Sequence, residues 1–276
     1  IDEESESSNM DEFMNIPWAR FAFLFLCLYL LFCGLAWLFA DRMLFPVPRP
    51  SSYDTEFSNL VLELEDGEKI HCLHLQSENP SLSIIYSHGN GEDIGMLEDL
   101  LQSWKEPEWE IIAFDYPGYG LSEGKPSESG CYEAISVVYE HLVDTLNRDP
   151  GKVIAWGRSL GTGPTTYLAE KKQLGGMILE SPFLSAFRSV TQIPFFPWDR
   201  FPNHRYAEKI TCSSLVIHGY YDEVIPYRQG VSIFKALGGP KKFLKVEEGE
   251  HNNLPQTGGE LYASTIRDFL KKRLGG

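Results

Sequence analysis

The sequence predicts an α/β fold: a mostly parallel sheet of about eight strands with helices on both faces, preceded by a single N-terminal transmembrane helix. Three observations carry that expectation. Short apolar runs without strict alternation recur along the chain, as strands buried on both faces do. Helical patterns separate most of them, and parallel strands need such crossovers. Finally, the run from Phe21 to Ala40, FAFLFLCLYLLFCGLAWLFA, contains no charge.

Residues 1–17 read as an acidic disordered tail, with Asp2, Glu3, Glu4, Glu6, Asp11 and Glu12 and no basic residue. The chain opens at Ile1 rather than at a methionine, and Met10 and Met14 both offer natural starts. Residues 18–40 form the expected anchor. At 1.5 Å per residue the uncharged run spans about 30 Å, the thickness of a bilayer core. Trp18, Trp37, Arg20 and Arg42 suit its two interfaces. A cleaved signal peptide is the rival, since Ala40 could close a cleavage site. The run is long for one, however, and bulky Leu38 stands where a small residue is wanted. Arg20 on one side against Arg42 and Arg49 on the other sets no orientation. The lipid bilayer is thus an expected partner and single-pass membrane the expected location, with oligomeric state unread.

Residues 41–58, DRMLFPVPRPSSYDTEFS, read as a Pro-rich linker, and 59–276 as one α/β domain. Asn59–Glu65 and Lys69–Leu75 alternate apolar and polar around Asp66-Gly67, which predicts a hairpin. Strands follow at Leu82–Ser87, Glu110–Asp115, Lys152–Trp156, Met177–Leu179, Ser214–His218 and Phe243–Val246. Helices are expected over Tyr132–Leu146, Leu160–Glu170, Tyr227–Leu237 and Glu260–Arg273.

Composition narrows the function. The 276 residues are 43% hydrophobic, enough for a sizeable core without staples. A net charge of −15 argues against nucleic acid as partner. The five cysteines, Cys27, Cys33, Cys72, Cys131 and Cys212, form no CxxC or Cys/His spacing, so neither a disulfide framework nor a metal site is expected, and no cofactor.

The chemistry sits in Gly157-Arg158-Ser159-Leu160-Gly161, a G-x-S-x-G pattern with a strand before it and a helix after it. The chain must turn sharply there, exposing the Ser159 hydroxyl in a strained conformation. The glycines keep side chains out of the turn, and the helix start favours negative charge developing during attack. Ser159 is the candidate nucleophile. Its partners should follow in the order acid, then histidine. Asp222 lies three residues past Gly219 after one apolar strand, and His251 follows the last strand. Asp222 would hold His251 in the tautomer that accepts the serine proton. For the oxyanion hole, the backbone N–H of Leu160 supplies one donor, and Asn90 in Ser87-His88-Gly89-Asn90-Gly91 the other. His88 is expected to order that loop rather than to act as a base. Arg158 is expected only to satisfy nearby carbonyls or acids, and Glu180, just after a strand, is an alternative acid.

His88-Gly89-Asn90-Gly91, Phe114-Asp115-Tyr116-Pro117-Gly118-Tyr119-Gly120, the serine motif, and His218-Gly219-Tyr220-Tyr221-Asp222 together resemble the α/β-hydrolase superfamily over roughly residues 40–274. Within it the chain is similar to the branch of depalmitoylating α/β-hydrolase-domain proteins and their membrane-anchored bacterial relatives. The resemblance implies an α/β-hydrolase fold, structural roles for Asp115 and Tyr116, and acyl transfer to water through an acyl-serine. Depalmitoylating members carry an acylated, cysteine-rich N-terminus where this chain has a spanning run.

Two other classes compete. Gly89-Asn90-Gly91 and Gly95, with Asp115 ending the next strand, mimic a dinucleotide fingerprint, but the third glycine falls one position late and Ser159 is left unexplained. A non-catalytic binding protein on the same fold would have no need of all three residues. Within catalysis, a serine peptidase or amidase shares these motifs. Ester or thioester is favoured because no acid near the elbow marks recognition of a free amine. The segment 183–202, rich in aromatics, is expected as a short cap, with Phe183, Phe195, Phe196 and Trp198 lining an apolar acyl pocket.

Overall fold

The structure, a computed structural model, describes residues 17–191 and 196–274. The tail expected over 1–17 therefore lies, except for Pro17, outside the described residues. The chain divides into two compact units, Ile1–Met43 and Leu44–Gly276. Helix α1 (Pro17–Leu44) has its only proline at its first position, where the missing N–H costs nothing. It carries Phe21, Phe25, Leu31 and Leu38 exposed along its length, and is long and apolar enough to cross a membrane.

The segment expected as a linker over 41–58 does not run free. Its first residues complete α1, and from Phe45 onward the chain lies on the second unit. Phe45 is buried edge-on against Tyr119 and Phe201, and the Tyr53 hydroxyl donates to buried Asp115 at 2.5 Å. Burying two aromatic side chains outweighs the entropy of fixing a segment already stiffened by Pro46, Pro48 and Pro50.

The sheet has eight strands: β1 (Leu60–Glu63), β2 (Lys69–Leu75), β3 (Leu82–Ser87), β4 (Trp109–Phe114), β5 (Val153–Arg158), β6 (Gly176–Glu180), β7 (Ser214–Gly219) and β8 (Lys241–Val246). Their order is β1-β2-β4-β3-β5-β6-β7-β8. β1 and β2 form the expected hairpin, β2 meets β4 antiparallel, and the remaining joins are parallel. β3, β4, β6 and β7 are buried throughout, which is why their sequences are apolar without alternation.

Alternate side chains feed two cores. On one face Ile85, Phe114 and Ala155 pack with residues of α3 (Glu128–Glu140), α4 (Thr162–Lys171) and α7 (Tyr227–Ala236). On the other, Ile84, Ile111 and Trp156 meet α2 (Glu98–Trp104) and α8 (Leu254–Leu274). Several carboxylates sit inside, Glu110 among them. Glu110 on β4 accepts from Ser83, from Arg148 at 2.7 and 3.1 Å, and lies 3.2 Å from His74 Nε2. Burial pushes its carboxyl up, but His74, Arg148 and Ser83 more than offset that and hold it at about 2.

Several boundaries differ from expectation. The helix expected over Tyr132–Leu146 starts four residues earlier, behind Ser127, whose hydroxyl accepts from Gly130 N, and loosens into a π turn at His141–Thr145. The helix expected from Glu260 begins at Leu254 and breaks at Gly259, with φ 50°. α5 (Ala186–Thr191) falls within the cap expected over 183–202, while α2 and α6 (Asn203–Ala207) are too short to show a 3.6-residue period and were not anticipated. Because β3, β5, β7 and β8 run parallel, the loops after Ser87, Arg158, Gly219 and Val246 gather at one edge.

Candidate active site

Ser159 follows β5 directly and takes φ 51°, a left-handed conformation that costs a serine about 1–3 kcal/mol. The surroundings enforce it. A Cβ on Gly157 would meet the Gly161 carbonyl oxygen at 2.3 Å, and one on Gly161 would meet the Ser87 carbonyl oxygen at 2.0 Å. Only glycines let the elbow close against itself and against the loop after β3.

His251 Nε2 lies 2.9 Å from Ser159 Oγ, while its Nδ1 lies 2.9 and 3.0 Å from the two carboxylate oxygens of Asp222. All three residues are buried. A carboxylate only accepts, so Nδ1 carries the proton and the Nε2 lone pair faces the serine hydroxyl. Asp222 Oδ1 also accepts from Ile225 N at 2.7 Å and Val224 N at 3.0 Å. Burial alone would raise its pKa, but the bonds from His218, His251 and Ile225 N hold it far below the usual carboxylate range. His218 is a second histidine on this acid. Its Nε2 lies 2.9 Å from the Ile225 carbonyl oxygen and 3.3 Å from Asp222 Oδ2, two acceptors, so Nε2 carries its proton.

The loop after β3 is held rigidly. Gly89 N–H is turned onto Glu92 at 2.8 Å, and the Gly89 carbonyl faces His88 Nδ1 at 2.8 Å. In a trans peptide the following N–H points away from that carbonyl, so the Asn90 N–H is presented from a fixed plane. The Asn90 side chain donates to the Leu44 carbonyl at 2.7 Å and accepts from the Tyr119 hydroxyl at 2.9 Å. Leu160, the other expected donor, lies in the tight turn Ser159–Gly161 that leads into α4.

A family model described as serine aminopeptidase S33 matches residues 78–199. Human alpha/beta hydrolase domain-containing protein 17B is 32% identical over 217 residues, 75% of this chain and 73% of that protein. This chain belongs to the α/β-hydrolase-domain family. It is a hydrolase of that family. Caenorhabditis elegans alpha/beta hydrolase domain-containing protein aho-3 is also 32% identical, over 257 residues, 83% of this chain and 77% of that one. Among solved structures, an esterase of Pyrococcus furiosus superposes with a TM-score of 0.69 at 16% identity, covering 83% of this hydrolase and 97% of the esterase. A monoacylglycerol lipase of Paleococcus ferrophilus gives 0.58 at 19% identity, covering 73% and 98%.

The other predicted residues of this hydrolase divide. Glu180 is buried and accepts from Trp156 Nε1 at 2.6 Å and the Tyr262 hydroxyl at 3.0 Å, so Asp222 and not Glu180 stands beside His251. His88 reaches towards Asp115, with Nε2 3.3 Å from Oδ1, and orders its loop. Arg158 pairs with the acid Glu92 and with Asn252, its side chain largely buried. Phe183 is a core residue, 6.3 Å edge-on from Phe201. Phe196 and Trp198 are half-buried, stack on each other with centroids 5.2 Å apart, and enclose Phe187. Phe195 lies outside the described residues. Sequence reasoning missed His218, Glu92 and Asn252. Only His218 left a signal, its spacing of four from Asp222 at the end of a strand.

Proposed function

We propose that this hydrolase cleaves carboxylic esters or thioesters of apolar acyl groups through an acyl-serine intermediate, at a membrane that α1 spans. The observation that carries the reading is the continuous chain Ser159 Oγ, His251 Nε2, His251 Nδ1, Asp222 carboxylate, each link within 3.0 Å. Ser159 Oγ attacks the acyl carbon as His251 Nε2 takes its proton. Asp222 stabilises the imidazolium, and the N–H groups of Leu160 and Asn90 receive the oxyanion. Collapse expels the alcohol or thiol, which leaves with the proton from His251. Water then attacks the acyl-serine with His251 again as base, releasing the carboxylic acid and restoring Ser159.

An apolar acyl group is favoured by the half-buried Phe187, Phe196 and Trp198 in the cap, and by the esterase and the lipase that share the fold. The resemblance to depalmitoylating proteins makes thioesters of lipidated proteins a second leaving-group class. Membrane attachment is favoured by the exposed apolar side chains of α1, which water would solvate poorly.

The serine aminopeptidase description of the matched family favours amide cleavage as a second reading. Against it, Glu92, an acid beside the elbow, is paired with Arg158 and is not free to hold a substrate amine. A fluorophosphonate and a p-nitrophenyl butyrate assay test the main reading. Ser159→Ala should abolish labelling and turnover together, and labelling that survives the substitution would refute it. Faster cleavage of leucine p-nitroanilide than of the ester would favour the peptidase.

A further inference from the structure

Three separate loops meet at the elbow, carrying the nucleophile, the oxyanion donor and the histidine. One side chain touches the other two from the first. Arg158 is the last residue of β5, immediately before Ser159. Its Nη1 donates to Glu92 Oε1 on the loop after β3, and its Nη2 donates to Asn252 Oδ1 at 2.7 Å, next to His251. The other oxygen of Glu92 accepts from Gly89 N–H at 2.8 Å. A single path therefore runs Asn252, Arg158, Glu92, Gly89, and ends one residue from the proposed oxyanion donor Asn90. A surface ion pair would carry little energy. Here the guanidinium is mostly buried, with 17% of its side chain exposed, and its planar fork fixes two directions at once.

We propose that Arg158 is a positioning residue that holds the oxyanion loop and the histidine loop in register with Ser159. The inference rests on the acyl-serine reading above. A lysine has one compact ammonium and cannot present two coplanar donors to Glu92 and Asn252. A methionine fills the space without either bond. Releasing Glu92 frees the Gly89 peptide, and releasing Asn252 frees the turn that follows His251. Displacements of about 1 Å between reacting groups cost about 10²-fold in rate. These contacts are not to the substrate, so the loss falls on kcat and not on KM.

The test uses the chain of residues 1–276 in detergent with p-nitrophenyl butyrate as probe, and compares Arg158→Met, Arg158→Lys, Asn252→Ala and Ser159→Ala. Arg158→Met should lower kcat about 10²-fold with KM within about twofold, and slow fluorophosphonate labelling by a similar factor. Arg158→Lys should fall between it and the parent, and Asn252→Ala should show the smaller kcat loss of one broken arm. A double variant Arg158→Met/Asn252→Ala should be no slower than Arg158→Met alone, because the second bond is already gone. Unchanged kcat per folded molecule, whatever happens to Tm, would overturn the proposal, as would a rise in KM at constant kcat. Should Arg158→Met not fold, Arg158→Lys and Asn252→Ala decide by the same kcat criterion. An active Ser159→Ala variant would instead sink the acyl-serine reading itself.

Discussion

Replacing Asp222 by asparagine perturbs one atom, and the structure dictates its orientation. Oδ1 accepts from two backbone donors, Ile225 N at 2.7 Å and Val224 N at 3.0 Å. An NH₂ group placed there would face two N–H groups, so the amide oxygen must occupy that site. The NH₂ then takes the place of Oδ2, 2.9 Å from His251 Nδ1. A donor at the shorter of the two contacts to Nδ1 shifts the His251 proton to Nε2 and leaves Nδ1 as the acceptor. Nε2 then donates to Ser159 Oγ instead of accepting from it, and the base is lost while every atom stays in place. The expected loss is about 10⁴ in kcat, or about 5 kcal/mol of transition-state stabilisation, with KM little changed. Steady-state p-nitrophenyl butyrate hydrolysis measures it, with fluorophosphonate labelling as an independent count of reactive serine. His218 also loses its acceptor at Oδ2, so a modest fall in Tm should accompany the loss. An Asp222→Asn enzyme within tenfold of the parent kcat would refute the tautomer reasoning. A dead Glu180→Gln beside it would move the acid to Glu180.

Four further outcomes are expected. If the cap holds the acyl chain, kcat/KM should climb from p-nitrophenyl acetate to octanoate by up to about tenfold per two buried methylenes, and Phe196→Ala with Trp198→Ala should flatten the climb while sparing acetate; equal loss on all esters would make the cap structural. A chain beginning at Asp41 should leave membranes and keep its activity, whereas Phe45→Ala should cost about 3 kcal/mol of stability by emptying its site against Tyr119 and Phe201, read from denaturant midpoints; resistance of the Asp41 chain to carbonate extraction would contradict the anchor. Glu110 is held at about 2 against 4.5 for a free glutamate. Its stabilisation, up to about 3 kcal/mol, is therefore complete above about pH 4.5 and lost as pH falls towards 2, so the Tm gap between parent and Glu110→Gln should close over that range; a gap constant with pH would show that the charge contributes nothing.

Much of the fold was legible because burial writes itself into composition. Strands covered on both faces must be apolar throughout, and that is how β3, β5 and β7 were found to within a residue or two. The short helices α2 and α6 were not legible, since five to seven residues cannot display a helical period. Nor was the fate of residues 45–58. Proline spacing reads as a linker, and only the cavity between Tyr119 and Phe201 turns Phe45 into a core residue. The break at Gly259 was equally hidden, because a single positive φ leaves no mark on hydrophobic periodicity.

By itself the sequence determined what local sterics and order along the chain can determine. Gly157 and Gly161 around Ser159 mark a turn where no Cβ fits, and Asp222 and His251 follow their strands in the order that parallel crossovers can bring to one edge. Tertiary structure alone decided which acid His251 meets, since Glu180 ends β6, Asp222 follows β7 by three residues, and only the carboxylate's distance to Nδ1 separates them. It alone decided, too, that Arg158, Glu92 and Asn252 join. These residues lie on three loops distant in sequence, and a hydrogen bond depends on distance and direction, which residue spacing does not encode until the sheet has gathered the loops.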